Sequence, residues 1–172
     1  MNDWDSVERQ LAAMSADFVI ARSEHPITDE QLDAASSRLG ASLPEELRTI
    51  LRRTDALYVD AREEVWPVFG GGPAWIFFRG LILFGVSDQV PAELRIEAAK
   101  REVELAGSPD FLPCARVIAD PCMYGYNSKG HLSFWSPEGT EEPVDGTLLD
   151  VIVRELENLQ KSAVRIRAYP PR

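Results

Sequence analysis

Thiol and imidazole groups are scarce in this chain, with two cysteines and two histidines among 172 residues. Cys114 and Cys122 cannot build a disulfide framework, and they lack the close pairing that opens a zinc site. His25 and His131 fall in a loop and a strand with no sequence signal joining them. A Cys122–His131 nucleophile pair can be drawn, on the reading that the two are cross-strand neighbours, but a buried cysteine ordinarily serves as a small hydrophobe. No catalytic residue, metal or cofactor is therefore expected. Long apolar runs are missing as well. The longest, Ala74 to Val86, is broken by Arg79 and falls short of the ~20 residues a membrane helix needs. The first residues show no basic segment followed by an apolar core, so no secretory signal is expected and the cytosol is the natural location.

Positive charge is also in short supply. Lysine and arginine total 18 against 28 aspartates and glutamates, a net charge of 18 − 28 = −10. A field of that sign repels phosphate backbones and favours basic protein partners, although it also serves solubility alone. The one local basic cluster is Arg48, Arg52 and Arg53, too little to point to nucleic acid. What remains is ordinary for a globular protein: 45% apolar and 27% charged residues, and a length suited to one domain.

The most informative stretch runs from Pro26 to Leu57. Thr28 with Gln31 makes a capping box, Leu32, Ala35 and Leu39 recur at helical spacing, and Gly40 is a left-handed stop. A second helix opens at Pro44-Glu45, with proline in the first turn and acids at the positive end of the dipole. Leu47, Ile50 and Leu51 form its apolar face. Two short capped helices joined so tightly form a corner over one core, spanning Thr28–Leu39 and Pro44–Thr54.

Around this corner, Trp4, Val7, Leu11, Met14 and Phe18 form one stripe that predicts a helix over Met1–Arg22, capped by Asp3 or Asp5. That helix packs on the domain or serves a partner. Gly70 to Gly72, between Pro67 and Pro73, form a flexible loop carrying Trp66 and Phe69, as core cover or as contact surface. No Lys-Ser/Thr or helix start follows these glycines, which excludes a phosphate cradle. Trp75–Phe78 and Leu81–Val86 are strand-like, with Arg79-Gly80 a hairpin turn or a bend in one long strand. Val90–Ala106 is a helix with a split apolar stripe and a Glu97–Arg101 pair four apart. Leu112–Ala119 is a strand, and Met123–Tyr126 pairs with His131–Trp135 through Asn127-Ser128-Lys129-Gly130, with Leu132 and Phe134 facing the core. Thr147 and Asp150 cap a last helix whose stripe runs through Leu149, Ile152, Leu156, Leu159 and Ala163. A basic tail from Val164 to Arg172 lies on the acidic body or is disordered.

Ile27 and its helix, Leu39-Gly40, and Leu43-Pro44 with Leu47 and Ile50-Leu51 resemble the opening of the SUKH superfamily. Leu83-Phe84-Gly85-Val86 is similar to that family's "lfg" strand, Cys114–Trp135 to its strand pair, and Thr147–Leu159 to its closing helix. The resemblance covers roughly residues 25 to 161. Where the family often carries an Asn-Gly pair after its second helix, this chain has Thr54-Asp55-Ala56. The superfamily contains bacterial toxin-immunity proteins and fungal cell-wall-synthesis regulators of the Smi/Knr type. The resemblance thus implies a SUKH-like α+β domain over residues 25–163, behind an N-terminal helix in residues 1–24 and ahead of the tail at 164–172.

The expected fold is a single α+β domain with a mainly antiparallel sheet and helices packed against it. The expected function is non-enzymatic binding of a protein, an immunity protein neutralising a basic toxin domain. A regulatory scaffold is the second reading and a hydrolase the third, while a monomer or weak dimer is expected without membrane contact. Partner-binding surfaces combine charge that speeds encounter with aromatics that anchor. Two segments offer both: Asp60, Glu63 and Glu64 ahead of Trp66 and Phe69, and Tyr124, Tyr126 and Trp135 ahead of Glu138, Glu141 and Glu142.

Overall fold

The computed structural model of the chain describes residues 3–23, 25–67 and 74–168. Among these residues, seven strands form one sheet in the order of the sequence: β1 (Phe18–Arg22), β2 (Leu57–Ala61), β3 (Gly80–Leu83), β4 (Leu112–Val117), β5 (Met123–Tyr126), β6 (Leu132–Trp135) and β7 (Glu141–Pro143). Every neighbouring pair is antiparallel. Five helices accompany them: α1 (Trp4–Met14), α2 (Asp29–Leu39), α3 (Glu45–Leu51), α4 (Ile96–Leu105) and α5 (Leu148–Ala168). The α+β architecture with helices on an antiparallel sheet is as expected.

The central corner forms as its capping residues dictate. Thr28 Oγ1 accepts from the Gln31 amide and Gln31 returns a bond to the Thr28 amide, while Gly40 ends α2 at φ 62°. Pro44 sits at the N-cap of α3, one position before the first turn. Asp55, in the departure from the family pattern, is buried, and its carboxylate accepts from the amides of Val86 (2.8 Å) and Ser87. The Thr54-Asp55-Ala56 segment is thus a hydrogen-bonded brace between the end of α3 and the turn after β3.

The N-terminal stretch departs from expectation. The apolar stripe is helical only to Met14; a turn at residues 15–17 follows, and Phe18 enters β1. Phe18 is buried from the strand, so 3.6-residue spacing and a strand start coincide by numbering alone. Among the described residues 3–23, the expected single helix is therefore a helix followed by a strand of the common sheet.

Ala74–Phe77 is a 3-10 turn, not a strand, and Arg79-Gly80 is not a hairpin turn. Gly80 opens β3, where a Cβ would stand 2.2 Å from the Val59 carbonyl oxygen. The 68–73 part of the glycine loop, Phe69 included, lies outside the described residues. The split stripe of α4 resolves in favour of Ile96, Ala99 and Val103, which are buried. Glu97 reaches Arg38 on α2 (3.0 Å) instead of Arg101. Thr147 and Asp150 cap α5 reciprocally, and that helix continues five residues past Ala163. Ile166 is buried and Arg167 pairs with Asp17, so the first part of the supposed tail is helix; residues 169–172 lie outside the described residues.

Strand register sorts the side chains into two faces. Phe18, Val59, Leu81, Leu83, Ala115, Tyr124, Phe134, Tyr126 and Leu132 share one, and it packs under α5 with α1 and α3 alongside. Ile82, Arg116, Gly125, Ser133 and Trp135 share the other, covered over β4–β6 by α4 and the segment after it. Among the described residues, no helix is long and apolar enough to cross a membrane.

Candidate protein-binding surface

Three of the aromatics expected at a contact surface are core. Trp135 is 1% exposed, tilted against Phe111 at 6.1 Å, with its indole N–H donated to Ser108 Oγ (2.9 Å). Trp66 is equally buried and donates its indole N–H to the Ile76 carbonyl (2.9 Å). Tyr126 is buried, and its hydroxyl donates to Glu46 Oε2 (2.8 Å) on α3.

The hairpin register explains the Trp135 outcome. A four-residue turn at Asn127–Gly130 would set Tyr126 opposite His131. Instead Asn127 pairs with His131, and its side-chain oxygen accepts from the Lys129 and His131 amides (3.0 Å each). Gly130 takes φ 76°, so three residues form the loop and the last is the left-handed bulge position. Tyr124 then faces Phe134, Tyr126 faces Leu132, and Trp135 faces Met123. Trp135 therefore lies on the sheet face opposite to the tyrosines. Leu132 is buried as expected, whereas Phe134 is only half-buried.

What does reach the surface is an aromatic pair among carboxylates. The Tyr124 and Phe134 rings lie 4.8 Å apart and both are half-buried. Glu142 stands opposite Phe134 across β6–β7, on the same face and exposed. From α5, Glu155 Oε1 accepts the Tyr124 hydroxyl (2.8 Å), and the Arg154 guanidinium lies over the Tyr124 ring at 5.9 Å. Burial, followed by the Glu155 charge, pushes the Tyr124 phenol up to about 12. Glu138 and Glu141 are exposed on the same edge, with Glu141 opposite Trp135 and so on the other face. The Ser136 hydroxyl, in hydrogen bonding to Glu138, holds that carboxyl below its ordinary value. Phe134, Arg154 and Glu155 were not anticipated as surface residues. A three-residue loop places Phe134 on the Tyr124 face, while its exposure depends on what covers that face.

The first segment contributes less. Asp60 is half-buried, paired with Arg79 (3.0 Å) and accepting from Tyr58 (3.2 Å), while Glu63 and Glu64 are exposed. The two segments nevertheless meet at one place. A cleft of about 230 Å³ beneath α5 is lined by Trp66 and Phe78 together with Tyr124, Asp120, Glu155 and Asn158. A larger, mainly apolar groove of about 300 Å³ lies between Ala21 and Tyr58 on the sheet and Val90, Pro91 and Leu94.

Several other polar groups singled out by the sequence are accounted for. Arg48 pairs with Asp29 and Asp33, and Arg52 with Asp29 and Glu45, so two cations of the basic cluster sit in an ion network. Cys122 and His131 are not cross-strand neighbours: His131 is at the loop end of the hairpin and Cys122 precedes Met123 at the other. Burial pushes both thiols up, Cys122 to about 11 and Cys114 further, away from the nucleophilic thiolate. Lys100 is buried on α4 and donates to the Pro109 and Phe111 carbonyls, the latter at 3.0 Å. Compared with protein-family models the chain matches none, and no curated protein matches it significantly.

Proposed function

We propose that this chain is a non-enzymatic protein-binding domain whose partner docks on the β5–β7 edge beside α5. The carrying observation is the half-buried Tyr124–Phe134 pair set among Glu142, Glu155 and the exposed acids of the β6–β7 turn. Rigid aromatics on a strand supply desolvated anchors, and surrounding acids in a chain of net charge −10 steer a basic partner towards them. Together with the SUKH resemblance, this supports an immunity protein that neutralises a basic toxin domain by occupying it, in the cytosol of the producing cell. The raised thiols and the separation of Cys122 from His131 favour binding over thiol catalysis.

The test is association with the toxin encoded beside the gene, measured by stopped flow across a salt series. Tyr124→Ala with Phe134→Ala is expected to weaken binding at least about tenfold, mainly through faster dissociation. Glu141→Lys with Glu142→Lys should slow association and flatten its salt dependence; Glu63→Lys with Glu64→Lys should do less. Parent-like binding by both edge variants, each normally folded, would place the interface elsewhere. A neighbouring gene for cell-wall synthesis in place of a toxin would favour the scaffold reading.

A further inference from the structure

We propose that the cleft beneath α5 receives the guanidinium of an arginine presented by the protein partner; this rests on the binding reading above and specifies its anchor. Cations are attracted to aromatic faces, and the attraction grows where water is excluded and a carboxylate completes the shell. The cleft combines these elements: the partly exposed rings of Phe78 and Tyr124 beside the buried Trp66, and carboxylates from Asp120 and Glu155. They come from four separate parts of the chain, which only the fold brings together.

Neutral partners fix the direction of each carboxylate, and Glu155 Oε2 also accepts a long bond from Asn158 Nδ2 (3.4 Å). Asp120 Oδ1 accepts from the Cys122 amide (2.9 Å), and Glu155 Oε1 accepts from the Tyr124 hydroxyl (2.8 Å). A carboxylate offers more acceptor sites than one such bond uses, so both retain capacity for a forked donor. The lip of the cleft supports the same chemistry. Arg154 places its guanidinium over Tyr124 and its Nε 3.5 Å from Glu155 Oε1, on a side chain that is 47% exposed. Through these two contacts it would compete with an incoming arginine for the same ring and the same carboxylate. The apolar groove at Ala21 and Leu94 has no such pair of acids and does not suit a cation.

N-acetyl-argininamide is the probe, with the citrulline analogue as its uncharged isostere, followed by two-dimensional amide and indole NMR on the whole chain. Saturable shifts are expected at the Trp66 indole, Asp120, Tyr124 and Glu155–Asn158 with the arginine probe, and not with citrulline. Asp120→Asn with Glu155→Gln, which keeps both internal hydrogen bonds, should weaken binding about tenfold. Arg154→Gln should tighten it, whereas Arg53→Gln, the same charge change elsewhere, should not. Equal response to citrulline, shifts centred on Glu141 and Glu142, or equal effects of the two arginine variants would each overturn the proposal. Saturable probe binding in a protein that ignores its neighbouring toxin would keep the cleft and remove the immunity reading. The reverse result would remove the cleft alone.

Discussion

Asp55 illustrates how one side chain can fix a junction. Its buried carboxylate satisfies the Val86 amide, which lies in the turn beyond β3, and also binds Ser87. Asp55→Ala leaves these donors unmet and should cost about 2–4 kcal/mol in urea unfolding, with Asp55→Asn costing less because one acceptor survives. Cys114, Cys122, Tyr124 and Tyr126 act together in another way, since burial raises all four pKa values. A raised pKa means that the unfolded chain loses its proton first. Their contribution is intact below the ordinary values of 9.0 and 10.0 and falls as pH climbs towards the folded values of about 11 for Cys122 and about 12 for Tyr124. Melting temperature should accordingly decline above about pH 9 with respect to these groups, and Cys122→Ser should make the first part of that decline shallower.

At the level of elements, two glycines separate backbone freedom from close packing. Gly40 needs φ 62° but has open space around a would-be Cβ, so Gly40→Ala should cost about 1 kcal/mol. Gly125 lies in β5 where a Cβ would stand 2.2 Å from the Leu112 carbonyl oxygen and 2.8 Å from the Phe111 ring. Gly125→Ala must part β4 from β5 or expel Phe111, and should cost about 3 kcal/mol or abolish folding, as thermal melts of the pair would reveal. The corner of α2 and α3 was legible in the sequence because its caps are local: Thr28, Gln31 and Gly40 each act within a few residues. The break between α1 and β1 was not, since Phe18 continues the helical count from Met14 and only the turn at 15–17 interrupts it. The candidate surface was half legible. Tyr124 and the acids of β7 were recognisable, but alternation says which residues share a strand face and not which face is covered. Trp135 and Phe134 exchanged roles because a one-residue change in the loop moves every partner. Trp66 was hidden by the same limit, as its burial depends on Ile76 and α5, distant in sequence.

For the whole molecule, Arg38, Arg48, Arg154 and Arg167 on the helices have acidic partners, whereas Glu138, Glu141 and Glu142 at the β6–β7 edge and Glu63 and Glu64 are among the acids left exposed. That edge strand is three residues long, carries two glutamates and ends in proline, which discourages pairing with another sheet. The same edge is therefore protected from aggregation and open to a partner that binds through side chains. The packing of α5 against α1 has a further result in time. Synthesis delivers α1 and then all seven strands before α5 arrives to cover Leu83, Ala115 and Tyr124 and to meet α1 through Gln160 and Gln10. Until then the sheet presents an open apolar face, so folding must wait for the helix that is made after it. Ribosome-held chains ending before Leu148 should be cleaved readily by protease and engaged by chaperones, and protection should appear in one step once α5 has emerged. Gradual protection, strand by strand, would show that the meander holds together on its own; a single step would make these strands dependent on chaperone shelter until α5 has been made.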